Sequence, residues 1–238
     1  MKAIFRMSLL TLSVVMGSAG LMNSQAQAYP LNPWGAAIPE KTIAINPFLY
    51  LDAGPNVYPI FYAGYGISER FDVWAGAGAV VALNPVSAGW GALEVFPRFF
   101  IIPELALAAH VYYSPGSSLT LAPEVHFNKT WGNFALTINA GHRSTRDQVT
   151  GTFSHGTIAA IVAPEYYLSK RLSLFLEVDP ILTFQEGVQA SAILAPGVWF
   201  ALDEDQKHSF ALAVQLPVPF DANAISGGIW YSTTFGPL

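Results

Sequence analysis

The sequence predicts an all-β fold: a closed antiparallel transmembrane β-barrel of about 12 strands with short periplasmic turns, with about 10 or 14 strands also fitting the turn spacing. Three observations predict it. Of 238 residues, 52% are hydrophobic and only 11% charged, against about 25% charged in ordinary soluble domains. Beyond residue 28 no run of about 20 apolar residues offers a membrane-spanning helix. Segments of about ten residues instead alternate apolar and polar with period two. A chain this apolar, with no spanning helix, satisfies its backbone in lipid by closing a sheet on itself.

The elements follow in chain order. MKAIFR is a positive start, MSLLTLSVVMGSAGLM an apolar core, and Ala26–Ala28 (AQA) a small-residue cleavage site. Residues 1–28 therefore read as a secretory signal peptide, its apolar run too short and too broken by Ser, Gly and Thr for an anchor. Tyr29 follows rather than Cys, so no lipoprotein is indicated. Losing Lys2 and Arg6 from 11 Lys and Arg leaves nine against 16 Asp and Glu, a net −7. The remaining chain, about 210 residues, is one domain by length. It has no basic patch, which argues against nucleic acid. It has no Cys, so its stability must come from the sheet and core. Residues 29–40, YPLNPWGAAIPE (Tyr29–Glu40), are too Pro-rich for a strand and form a periplasmic segment: a tether, a plug or a docking segment for a protein partner.

The barrel itself occupies 41–238. Strands are expected at 41–52, 57–68, 70–83, 88–101, 105–114, 118–130, 133–143, 156–168, 171–184, 188–202, 208–220 and 224–235. Phe134, Leu136, Ile138 and Ala140 oppose Thr137, Asn139, Gly141 and Arg143. Leu172, Leu174, Leu176, Val178, Pro180, Leu182 and Phe184 oppose Ser173, Phe175, Glu177, Asp179, Ile181 and Thr183. A third apolar row runs from Phe210 to Phe220. ISERF, TWGNF, LSKRL and DEDQKHSF are tight polar turns on one side, with IIPEL a looser relative, all periplasmic if both termini lie there. AGPN, NPVSA, SPGSS, RSTRDQVTGTFSH, FQEGV and DANA connect strands on the other. Pro97, Pro123, Pro164 and Pro196 fall inside strands, where proline removes a ladder donor. The alternation puts each on the lipid face and turns the next residue (Arg98, Glu124, Glu165 and Gly197) inward. SGGIWYSTTF (Ser226–Phe235) resembles the closing strand read by the outer-membrane assembly machinery, although the chain ends GPL rather than at the aromatic.

ISERFDVWAGAG, LAPEVHFNKTWGNFALTINAGH and YYLSKRLSLFLEV carry a wider resemblance. In pattern, most of residues 41–235 resembles the small outer-membrane barrels grouped as transporters of the phenol-degradation meta-pathway type. That resemblance implies a Gram-negative outer-membrane location and solute passage, and supplies no binding residues.

Function is expected from the inward face. Asp72, Glu94, Arg98, Glu124, His126, Arg143, Glu165, Glu177 and Asp179 are the charged or titratable candidates to line a lumen, with Asn139, Gln189 and Gln215 beside them. The row is mostly acidic, so a channel would favour cations or neutral solutes. Glu94 and Arg98 are too far apart along one strand to pair, so each is expected to reach a neighbouring strand, as in a pair of Glu124 with Arg98. Trp74, Phe96, Tyr112, Phe175 and Trp230 also point in and would fill the bore, so a plugged structural or partner-docking barrel is the alternative. A further alternative is an acyl-ester hydrolase. His142 and Ser144 in GHRS have the His-x-Ser spacing of outer-membrane phospholipases and lipid A deacylases, adjacent on one strand face. Thr145 and Arg146 stand where the phospholipase motif has Asn and Gly, and Thr157, Ala159 and Ile161 supply no third group. The five histidines (110, 126, 142, 155 and 208) lack metal-ligand spacing, and AGAGAV lacks the Lys-Ser/Thr of a phosphate loop. No metal, cofactor or catalytic residue is expected. Expected partners are outer-membrane lipid, the barrel assembly machinery, a small solute, and a protein contacting Tyr29–Glu40 or the long outer loop Ser144–His155.

Overall fold

A computed structural model of the chain describes residues 37–52, 54, 56–184, 187–204 and 206–236. The predicted signal peptide and residues 29–36 lie outside them. Twelve strands, all antiparallel to their neighbours, form the sheet: β1 (Ile43–Asp52), β2 (Asn56–Ser68), β3 (Phe71–Leu83), β4 (Val86–Ile102), β5 (Leu105–Ser114), β6 (Ser118–Trp131), β7 (Phe134–Asp147), β8 (Phe153–Ser169), β9 (Leu172–Thr183), β10 (Gln189–Ala201), β11 (His208–Val218) and β12 (Ser226–Phe235). Each pairs with the next in sequence, and β12 closes onto β1 from Ile43↔Phe235 to Asp52↔Ser226. Closure leaves no open sheet edge, so the ladder satisfies the backbone all round.

Alternation decides which side chains go in. On β9, Ser173, Phe175, Glu177 and Asp179 are buried, while Leu172, Leu174, Leu176 and Leu182 stand on the exposed outside. Outward apolar residues recur on every side of the barrel, among them Leu49, Phe61, Val95, Leu107, Val125 and Ile229. A contiguous apolar exterior around a polar interior is the inverse of a water-soluble barrel and suits hydrocarbon.

The periplasmic-type turns are tight: Gly132 sits at φ +56 in the turn from β6 to β7, a conformation that favours glycine. Near them aromatic rings cluster. Trp131 stacks on Phe134 at 6.1 Å, and Phe210 lies 4.9 Å from Tyr231 and 5.5 Å from Phe200. On the opposite side the structure departs from expectation. β7 runs on to Asp147 and β8 starts at Phe153, so only Gln148–Thr152 remain as a loop where Ser144–His155 was expected. Asp147 Oδ1 accepts from the backbone N–H of Val149 and Thr150 and fixes this turn.

The four prolines face outward, Pro123 and Pro196 being exposed. Each keeps its register with the preceding strand (Val73↔Pro97, Ala109↔Pro123, Leu136↔Pro164, Leu176↔Pro196). Toward the following strand the pairing skips the proline and the residue before it, then resumes without a shift. Pro59 on β2 repeats the pattern. Each missing N–H therefore costs one local ladder contact on one side and leaves the register intact.

Candidate functional site

Eight of the nine expected interior residues lie on strands β3 to β9 with their side chains inside the barrel, and Arg143 occupies the inward row of β7 near the outer rim. The β3–β4 register sets Asp72 directly opposite Arg98. Both side chains are fully buried, with Arg98 Nη2 donating to Asp72 Oδ2 at 2.7 Å and Nε donating to Oδ1 at 2.9 Å. Asp72, not the expected Glu124, is thus the partner of Arg98. The prediction failed because periodicity within one strand does not say which neighbour sits opposite. Trp74 and Phe100 flank the guanidinium at 5.8 and 5.1 Å from their ring centroids.

Asp72 Oδ2 also accepts from the Ile38 backbone N–H at 2.9 Å. Ile38 is buried inside the barrel mouth, and a Cβ on Gly64 would meet its Cδ1 at 2.5 Å. Gly66 is equally obligatory, because a Cβ there would run into the carbonyl oxygens of Pro39 and Ile38. The described end of the Tyr29–Glu40 segment therefore tucks into the end of the bore that carries the tight turns.

A second cluster spans β2 to β6. Tyr62 Oη donates to Glu94 Oε2 at 2.5 Å, and Glu94 Oε1 lies 2.6 Å from His110 Nδ1. His110 Nε2 is 3.4 Å from both His126 Nε2 and Glu124 Oε2, and His126 Nε2 is 3.1 Å from Glu124 Oε2. Phe96 stacks on the His110 ring at 4.1 Å with 13° between planes and fixes its orientation. The expectation that the histidines are scattered is overturned here for two of them. Sixteen residues apart, His110 and His126 are brought together diagonally by the β5–β6 register. The inward neighbours Ala106, Ala108 and Ala122 leave the space. His110, which the candidate set omitted, was legible only as an inward residue of β5.

Glu165 is held by Ser173 Oγ and by Tyr167 Oη at 3.2 Å, both donating to it. Glu177 and Asp179 are buried two apart on β9. Asn139 and Gln215 are buried as expected, and Gln189 is exposed at the rim. Among the described residues, six of the expected carboxylates (Asp72, Glu94, Glu124, Glu165, Glu177, Asp179) and the two arginines Arg98 and Arg143 thus lie in the interior. Asn46, fully buried, has no hydrogen-bond partner for its side-chain oxygen or nitrogen among the described residues. Such groups are ordinarily met by water.

Aromatic side chains fill the other half of the bore. Trp230 stacks on Phe48 and Tyr50 at 6.4 and 6.5 Å, and Phe175 lies 6.3 Å from it. Tyr50, Phe175, Glu177, Gln215 and Trp230 line a recess in this part of the bore.

His142 and Ser144 both belong to the outward row of β7, as the alternation implied. On β8, however, the outward residue opposite His142 is Ile158. The expected row Thr157, Ala159 and Ile161 belongs to the face that carries Glu165, and Thr157 pairs with Arg143. On β6, Ser144 pairs with Leu121. Neither paired position gives His142 a carboxylate or amide to orient it, as a triad requires.

No family model matches the chain, and no curated protein matches it. Solved structures do. The NanC porin superposes with a TM-score of 0.58 at 6% identity, covering 82% of this chain and 100% of that one. The KdgM porin gives 0.56 at 8% identity over 81% of this chain and 99% of its own. An outer membrane channel from Pseudomonas putida F1 gives 0.58 at 10% identity over 87% and 100%. At such identities the likeness establishes the fold: that of porin-like outer-membrane barrels.

Proposed function

We propose that this chain is a bacterial outer-membrane barrel that gives small neutral or cationic solutes passive passage through a narrow acidic bore. The observation that carries the proposal is the acidic lining, at least six carboxylates beside two arginines among the described residues, inside a closed sheet whose outside is apolar. A barrel serving only as a membrane scaffold has no need to bury that charge, since each buried ion costs several kcal/mol unless paired or hydrated, by order of magnitude. Asn46, buried without a partner among the described residues, fits a hydrated interior. The porin-like fold supports the reading, as does the resemblance of ISERFDVWAGAG and its companions to transporters of the phenol-degradation meta-pathway type. One KdgM structure holds oligogalacturonate, an acidic sugar chain. The carboxylates here argue that this bore carries no such polyanion.

A plugged barrel with a structural or docking role is the second reading, favoured by the packed rings around Trp230 and by Ile38 in the mouth. Single-channel recording in planar bilayers separates the two. Passage predicts steady conductance with a reversal potential favouring K⁺ over Cl⁻, and a reduced preference in Glu165→Gln and Asp179→Asn. Absence of conductance from correctly folded barrel, at every voltage the bilayer tolerates, overturns passage and leaves the plugged reading.

A further inference from the structure

We propose that His110, Glu124 and His126 form a binding site for a borderline divalent transition-metal ion, Zn²⁺ foremost. The three donor atoms, His110 Nε2, His126 Nε2 and Glu124 Oε2, make a triangle with sides of 3.4, 3.4 and 3.1 Å. An ion about 2.0–2.1 Å from each sits just outside the plane of that triangle and subtends donor–metal–donor angles of about 100–110°, close to tetrahedral. Two imidazoles and one carboxylate are a donor set for Zn²⁺ with the fourth position open.

The surroundings have the form of a metal centre's outer shell. Glu94 takes the Nδ1 side of His110 at 2.6 Å, which commits that proton and turns the Nε2 lone pair toward the triangle. Tyr62 holds Glu94 in turn at 2.5 Å, and Phe96 fixes the plane of the ring. His126 Nδ1 is buried without a hydrogen-bond partner among the described residues, so on this ring Nε2, which faces the triangle, is the nitrogen with partners. Glu94 and Glu124 each bring a carboxylate to the pair of imidazoles. His110 and His126 are 5% and 2% exposed at their side chains, whereas Glu124 is 12% exposed, so the open position faces the bore through Glu124. The proposal stands whether or not the barrel conducts, because binding needs only access to the bore.

The test uses mature protein refolded without a polyhistidine tag, stripped with chelator and shown by heat-modifiable migration to be a closed barrel. Zn²⁺ is titrated by calorimetry, and Co²⁺ by its visible absorption. The expected result is one Zn²⁺ per chain and intense tetrahedral Co²⁺ bands. Glu124→Gln and His126→Gln should each weaken Zn²⁺ binding by about 100-fold or more, and Glu94→Gln by about 10-fold to 100-fold. His142→Gln, which alters an outward histidine, should leave binding unchanged. No stoichiometric binding by the wild-type barrel overturns the proposal, as does binding that survives Glu124→Gln and His126→Gln or is lost with His142→Gln. If a variant does not close, the wild-type stoichiometry and Co²⁺ spectrum decide alone.

Discussion

At the scale of single residues, the interior is organised by pairs and triads. The Asp72–Arg98 pair shows what such a contact is worth. Both groups are fully buried and joined by two charge-assisted bonds. Arg98→Met leaves Asp72 and its bond to Ile38 without a counter-charge, and should destabilise the barrel by about 3–5 kcal/mol. Urea titration in lipid vesicles, followed by tryptophan fluorescence, measures this. Adding Asp72→Asn should recover part of the loss, because the uncompensated charge is then gone. These partnerships were the least legible feature of the sequence. Alternation marks Arg98, Glu124, His110 and His126 as inward, but their contacts depend on how β3, β4, β5 and β6 are staggered. A diagonal reach such as His110 to Glu124 has no signature within either strand.

At the scale of elements, the strands were legible nearly throughout, because one face meets an apolar medium and the other is enclosed. Signal fades where that asymmetry ends. Ser144–Asp147 and Phe153–His155 extend β7 and β8 beyond the apolar belt. With polar residues such as Thr145 and Arg146 on successive positions, they read as loop. The in-strand prolines had seemed to conflict with a ladder, and the structure resolves this: each faces outward and gives up pairing only toward the next strand. Pro196→Val restores the donor without changing the apolar exterior. It should stabilise the barrel by about 0.5–1.5 kcal/mol, the net worth of one hydrogen bond. Vesicle urea titration checks this, and a loss of stability instead would mean that the strand needs the bend proline imposes.

At the scale of the whole molecule, the pore reading, the metal site and the buried pairs all presuppose that the odd-numbered side chains of β9 are enclosed while the even-numbered ones meet hydrocarbon. Because the chain contains no cysteine, single cysteines can be placed at will and spin-labelled. The decisive measurement is a nitroxide scan along residues 172–179 in lipid bilayers, comparing relaxation by oxygen, which partitions into lipid, with relaxation by a water-soluble nickel chelate. The account predicts strong oxygen relaxation at 172, 174, 176 and 178, and weak oxygen relaxation at 173, 175, 177 and 179. Uniform accessibility along the strand, or nickel relaxation at 174 and 176 equal to that of a label free in water, would contradict it.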